Sequence, residues 1–208
     1  MLWQQVLLIV LSYLLGSVLF SYHLPKWVSG VDITKASEDH NPGAYNAFRF
    51  AGVPAGLGCL ALDMLKGFLP AWAALRLWGP DFPLLPLVML SPVLGHAMAP
   101  WYAFGGGKAI ATSFGVLAGL LPYSPAVWVL VFWHLFYSLV CVLHPNEKRS
   151  VATFLCFMGT CALAGLRSHE LPLAMGCVLM ALPPLWKNLL SPRKLRRREA
   201  EAMLKPRA

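Results

Sequence analysis

The sequence predicts an all-α, polytopic membrane protein of about seven transmembrane helices, its N-terminus outside and its C-terminus cytoplasmic. Three observations carry this. The 208 residues are 58% hydrophobic and only 12% charged, with a mean hydropathy of +0.60, whereas soluble domains carry roughly a quarter charged residues. Apolar runs near the length of a bilayer span recur along the whole chain. The basic residues also divide unequally between the loops.

The first apolar run covers 3–24. It lacks a basic region before it and is too long for the core of a signal peptide, so a retained span is expected. The second covers about 53–78 and encloses Asp63 and Lys66. The third, about 82–100, holds several prolines, and the fourth, about 108–121, is short. The fifth, sixth and seventh fall at 125–143, 150–166 and about 170–190. An odd number of spans puts the termini on opposite sides. Placing the basic C-terminus in the cytoplasm puts loops 25–50, 101–108 and 144–149 there too. Fourteen Lys and Arg residues then lie inside and two, Arg76 and Arg167, outside, with Lys66 in a span. This is the asymmetry that cytoplasmic loops show.

Residues 1–190 read as one integral-membrane domain and 191–208 as a basic cytoplasmic tail. From Lys187 onward the chain carries +6 of its net +8. A basic segment beside a span suits an anionic membrane face. Nucleic-acid binding is disfavoured, because no aromatic-interleaved soluble module accompanies the charge. The five cysteines all fall in apolar stretches without a CxxC, so they read as small buried hydrophobes. No His or Cys pair has metal-ligand spacing, and neither metal nor cofactor is implied.

Chemistry gathers in the two most polar loops. In Phe104-Gly105-Gly106-Gly107-Lys108, three glycines free the backbone to curl its N–H groups into one concavity ahead of an apolar helix. Lys108 adds a full charge, so the expected ligand is a phosphate. A flexible or closely packed loop is the competing reading. The segment is not a Walker A loop: Tyr102 stands where its first glycine would be and Ala109 replaces its Ser or Thr. In Asn41-Pro42-Gly43-Ala44-Tyr45-Asn46-Ala47-Phe48-Arg49, Pro-Gly marks a turn. Asn41 and Asn46 offer donors and acceptors, and Arg49 can fork onto a phosphate.

Asp63 and Lys66 lie three residues apart and share a helix face. Pairing lowers the cost of charges inside a span, about 2.5–3.5 kcal/mol each. The pair is either structural or supports the polar site. His96 ends the third span close to the glycines, either as a hydrogen-bonded cap or as a group that donates to phosphate or accepts a hydroxyl proton. His134 sits mid-span without an evident partner and reads as a helix-contact histidine. The chain has no GxSxG, HxxxxD or Cys–His constellation, so a covalent acyl-enzyme has no support.

Together these segments resemble the membrane-integral bacterial acyl-phosphate:glycerol-3-phosphate acyltransferases of the PlsY type. The first family motif, GxDIRxxGSGNxGATNxxRxxG, is matched by Gly30-Val31-Asp32-Ile33 and by Asn41 through Gly52. The family's Asp and Lys-Gly of the second span match Asp63 and Lys66-Gly67, with Pro70 following. GHxFPxFxxFKGGKGVA is matched by Gly95-His96, Pro100, Phe104, Gly106-Gly107-Lys108 and Ile110-Ala111. Ser150 is similar to a serine of the fifth-to-sixth loop, and Lys187-Asn188 to the remains of the third motif, where Leu185 replaces a histidine. The family GSGN is replaced by Ser37-Glu38-Asp39-His40-Asn41, one residue longer. Thr becomes Tyr45, Lys becomes Gly105 and Gly becomes Ala109.

The resemblance implies seven spans, a multi-pass protein of the bacterial inner membrane and an active site on the cytoplasmic face. It implies acyl transfer from acyl phosphate to the sn-1 hydroxyl of glycerol 3-phosphate, giving lysophosphatidate and phosphate. Lys108, His96 and Arg49 are the expected catalytic residues. Asn41, Asn46, Gly105, Gly106, Gly107, Ser150 and Asn188 are the expected phosphate contacts, with Asp63 and Lys66 as a supporting pair. Membrane lipid and an enzyme supplying acyl phosphate are the implied partners. Glu38 and Asp39 are expected to turn away from the phosphates or to pair with Lys35 or Arg49. Two other readings stand beside this one. One is the same fold with a different acceptor or donor. The other is a non-enzymatic transporter or partner subunit with a decayed site.

Overall fold

The computed structural model describes residues 2–168 and 170–189, and these are all helix and connection, with no strand among them. The helices are α1 (Leu2–Ser17), α2 (Phe20–Ser29), α3 (Ile33–Ala36), α4 (Ala44–Ala51) and α5 (Val53–Trp78). After them come α6 (Leu85–Ala97), α7 (Ile110–Gly119), α8 (Ala126–Leu135), α9 (Asn146–Ser168) and α10 (Leu171–Leu189). A 3-10 turn, Pro100–Tyr102, precedes the glycines, and a π-helical turn, Phe136–Val140, extends α8. The basic tail lies outside the described residues.

Helices occupy each of the seven apolar stretches. Among the described residues, three helical stretches are long and apolar enough to cross a bilayer: Leu2–Ser29, Val53–Trp78 and Asn146–Ser168. The first is not one regular helix. It breaks at Val18–Leu19, between α1 and α2. A break inside an apolar segment frees backbone groups that must find partners. Lys66 Nζ takes the Val18 carbonyl at 2.7 Å, and Trp101 Nε1 takes Ser17 Oγ at 2.7 Å.

Two expected loops are partly helical. Residues 25–50 contain the end of α2, all of α3 and most of α4. Asp32 caps α3 by accepting from the Thr34 N–H at 3.1 Å, and pairs with Lys26 at 3.1 Å. The Thr34 bonds, outweighing burial and aided by Lys26, hold its carboxyl below the ordinary aspartate value. Helix α9 begins four residues earlier than the sequence periodicity predicts, at Asn146. Pro145 before the first turn and Glu147 within it favour a helix start, through the fixed proline φ and the helix dipole.

The core lies among α5, α6, α7, α9 and α10, where Leu85, Met89, Leu117, Phe154, Phe157 and Met180 are fully buried. Helices α5 and α7 approach closely because a Cβ at Gly67 would strike the Thr112 carbonyl, and one at Gly115 the Met64 carbonyl. Small residues serve helix contacts in this way where lipid supplies no hydrophobic drive. A second, small core of Ile33, Ala47 and Cys59 seats α3 and α4 against α5.

Candidate active site

A cavity of about 430 Å³ opens where α4 and the loop before it meet the N-terminal ends of α7 and α9. That volume suits a small-molecule site. Arg49, Asn41, Asn46, His96, Lys108 and Ser150 all line it, as does Asp63. Six of the expected contacts thus converge from four separate segments of the chain, with Asp63 behind them. Gly105, Gly106, Gly107, Lys66 and Asn188 do not line it.

Lys108 stands just before α7, and its ammonium is held by Asp39 Oδ2 at 2.8 Å and Glu147 Oε1 at 3.1 Å. Burial raises the Asp39 pKa, but Lys108, Asn46 and the Asn41 N–H outweigh it, leaving this carboxyl below the ordinary aspartate value. The expectation that Glu38 and Asp39 turn away, or pair with Lys35 or Arg49, is therefore corrected. Both line the cavity, and Asp39 pairs with Lys108. A phosphate reaching Lys108 must displace these carboxylates.

The glycines work differently from an open cradle. Gly105 donates its N–H to the Tyr102 carbonyl at 2.8 Å and Gly107 to the His96 carbonyl at 3.0 Å. The Lys108 N–H goes to Asn41 Oδ1 at 3.1 Å. None of the three glycines has positive φ; the left-handed residues nearby are Ala103, Phe104 and Ala109. A Cβ at Gly106 would collide with the His96 carbonyl. Close packing against the end of α6 thus explains Gly106, and it positions Lys108. Lys187 Nζ holds the Gly106 carbonyl at 3.2 Å from α10.

Asn41 and Asn46 also spend polar atoms on the loop itself. Asn46 Nδ2 donates to Asp39 Oδ1 at 2.8 Å and to the Asn41 carbonyl at 2.9 Å. Arg49, in the last turn of α4, is exposed and lies 5.2 Å from the Phe50 ring centre. Ser150 is buried and donates to the Asn146 carbonyl at 3.0 Å. Asn188, also buried, donates to the Pro184 carbonyl at 2.8 Å within α10.

Behind the wall, Asp63 Oδ1 pairs with Lys66 at 2.8 Å and Asp63 Oδ2 accepts from Ser21 Oγ at 2.5 Å. Both charged side chains are 1% exposed. His96 is buried, its Nδ1 3.7 Å from Asp63 Oδ1, too far for a hydrogen bond. Sequence reasoning named Asp39 and Lys187 without their partners, Lys108 and the Gly106 carbonyl, and it gave no site role to Glu147, Arg149 or His134, which line the cavity. The Pro145-Asn146-Glu147 helix start was a usable signal for Glu147 and Arg149.

The described residues are all-helical, include apolar helices long enough to cross a bilayer, and gather lysine, arginine and carboxylate side chains on one polar cavity beside helix N-termini, the frame of an integral membrane protein with a polar site. The glycerol-3-phosphate acyltransferase family model matches residues 6–196. The chain belongs to the glycerol-3-phosphate acyltransferase family.

The glycerol-3-phosphate acyltransferase of Thermotoga petrophila is 42% identical over 108 residues, 52% of this chain and 54% of that protein. The chain thus spans about half the length of that relative. The Myxococcus xanthus enzyme is 38% identical over 157 residues, 75% of this chain and 79% of its own. In crystal structures, PlsY, an integral membrane glycerol 3-phosphate acyltransferase, superposes with a TM-score of 0.74 in its glycerol 3-phosphate form. That match has 25% identity and covers 99% of this chain and 96% of PlsY. The lysophosphatidic acid form gives a TM-score of 0.75, also at 25% identity, covering 95% and 93%.

Proposed function

We propose that the protein transfers a fatty acyl group from acyl phosphate to the sn-1 hydroxyl of glycerol 3-phosphate. Family membership supports the reaction, and PlsY has been seen with glycerol 3-phosphate and with lysophosphatidic acid. The observation that carries the reading in this chain is Lys108, fixed at the start of α7 on a cavity that Arg49 also lines. The hydroxyl oxygen of glycerol 3-phosphate attacks the acyl carbonyl carbon. The carbon–oxygen bond to phosphate breaks, and phosphate leaves with the electron pair. The hydroxyl proton passes to His96 or to an oxygen of the departing phosphate. The donor is already activated, so no protein nucleophile is required, and positioning supplies most of the acceleration. Lys108 and Arg49 hold the phosphates and offset developing charge.

The same reading has seven spans, an outside N-terminus and a cavity on the cytoplasmic face of the bacterial inner membrane. Residues 1–190 then form one domain, with the basic 191–208 segment against anionic lipid. The acyl chain lies between helices in the bilayer, and a soluble or membrane enzyme supplies the acyl phosphate. A second reading keeps the chemistry and changes the acceptor: Glu38, Asp39 and Glu147 on the wall would suit a cationic or hydroxylated group.

The test uses the full chain in nanodiscs with palmitoyl phosphate and glycerol 3-phosphate, following phosphate release and the lipid product. Lysophosphatidate formation is expected. No turnover from folded protein overturns the proposal, and turnover only with an amino-alcohol acceptor selects the second reading.

A further inference from the structure

Two cavity-lining side chains have no task in the reaction as written: His134, near the end of α8, and Arg149, in the first turn of α9. Each keeps a buried nitrogen without a hydrogen-bond partner among the described residues, Nδ1 of His134 and Nε of Arg149. Such atoms are rare in native proteins, because a buried polar group left unpaired loses its hydration for nothing. Those two atoms are themselves covered, as is Nδ1 of His96 on the same wall, so what remains for a ligand is the part of the guanidinium and of the imidazole that lines the cavity.

Local structure fixes both side chains. The His134 ring stands edge-on to Phe114 at 5.9 Å, and its carbonyl accepts from Ser138 Oγ at 2.6 Å. The π-helical turn Phe136–Val140 begins two residues later. Such turns shift the helical register and cluster at functional sites. Arg149 donates from Nη2 to Asn146 Oδ1 at 2.9 Å, so one corner of its guanidinium is anchored while Nε stays unspent. Unlike Lys108, Arg149 makes no salt bridge among the described residues.

We infer that Arg149 and His134 form a second anion subsite, additional to Lys108 on the same cavity, that holds oxygens of a substrate phosphoryl group. Guanidinium suits such oxygens through its fork of donors, and a neutral imidazole adds one more. The surroundings favour the donor's phosphoryl group over the acceptor's. Phe114, Ile110 and Leu60 bring apolar surface to the same cavity, as a phosphate esterified to a hydrocarbon chain requires. Of these, Phe114 lies directly against the His134 ring, with 5.9 Å between ring centres.

This inference rests on the proposed acyl transfer, and the test separates the two. Wild type, Arg149→Ala, Arg149→Lys and His134→Gln are compared in nanodiscs. The readouts are KM for palmitoyl phosphate, KM for glycerol 3-phosphate, and direct binding of hexadecyl phosphate, an unreactive donor mimic. Losing a charge-assisted hydrogen bond predicts an approximately tenfold rise in KM for palmitoyl phosphate with Arg149→Ala, less with Arg149→Lys. Hexadecyl phosphate should weaken in parallel while KM for glycerol 3-phosphate stays within about twofold. A rise confined to glycerol 3-phosphate keeps the subsite and assigns it to the acceptor. Unchanged values for both substrates and for hexadecyl phosphate, in variants that melt like wild type, overturn it. If wild type does not turn over, the acyl-transfer proposal fails, and hexadecyl phosphate binding alone judges the subsite.

Discussion

Lys66 and Lys108 each reach an aspartate at 2.8 Å, Asp63 in one case and Asp39 in the other. Their surroundings separate them. Asp63 and Lys66 lie on one helix, are both 1% exposed, and are tied further to Ser21 and to the Val18 carbonyl. Asp39 and Glu147 reach Lys108 from two distant parts of the chain, and these side chains are 19–33% exposed beside a cavity. Equal distance therefore does not mean equal role. The inner pair is sealed from solvent, with only Asp63 bordering the cavity, and it ties α5 to the joint between α1 and α2. The outer pair stands where a ligand entering the cavity would meet it.

The largest effect should fall on the sealed pair. Asp63→Ala strands the Lys66 charge and should destabilise the fold by about 3–5 kcal/mol, read from thermal unfolding in detergent. A variant that melts normally yet loses turnover would move Asp63 from scaffold to site. Lys108→Ala should lower turnover at least about 100-fold, close to 2.7 kcal/mol of transition-state stabilisation, with little change in melting. An unchanged rate would remove Lys108 from the site. Gly106→Ala should cost about 1–3 kcal/mol through overpacking against the His96 carbonyl. Unaltered melting with lost activity would instead restore a backbone anion cradle.

Smaller effects probe the outer pair. Asp39→Asn removes a competitor for the ammonium, so glycerol 3-phosphate should bind up to about fivefold tighter, the scale of a partly exposed ion pair. Weaker binding would show that Asp39 serves the substrate directly. The smallest effect is the pH dependence of Asp39. A lowered folded-state pKa adds stability that is complete above the unfolded value, near 3.9, and is lost as pH falls through the folded value. The melting difference between wild type and Asp39→Asn should stay constant from about pH 8 to 5 and shrink only below about pH 4.

The sealed pair was legible in the sequence and the outer one was not. Asp63 and Lys66 sit three residues apart on a helical run, where periodicity alone makes them neighbours. Asp39 and Glu147 lie 69 and 39 residues from Lys108, and no local pattern reports such a contact. The apolar runs foretold where helices fall, because burial in lipid writes itself as uninterrupted hydrophobicity. The break at Val18–Leu19 stayed hidden because its compensation comes from a different helix. The glycines were legible as special but not in function: close packing and an open cradle select the same residue. Lys108, Arg49 and His96 were singled out from local motifs and line the cavity, whereas the place of Arg149 and His134 on it needed the tertiary arrangement of α8 and α9.

The interruption between α1 and α2 gives Lys66 a reach beyond its own surroundings. Its ammonium fastens three pieces at one point, like a rivet through overlapping plates: α5, the end of α1 and the start of α2. The heading of α2 out of that joint sets where the chain enters the segment that bears Asp39. Lys66 does not itself line the cavity and meets it only through Asp63. It is nonetheless the pivot about which one jaw of the grip on Lys108 is aimed.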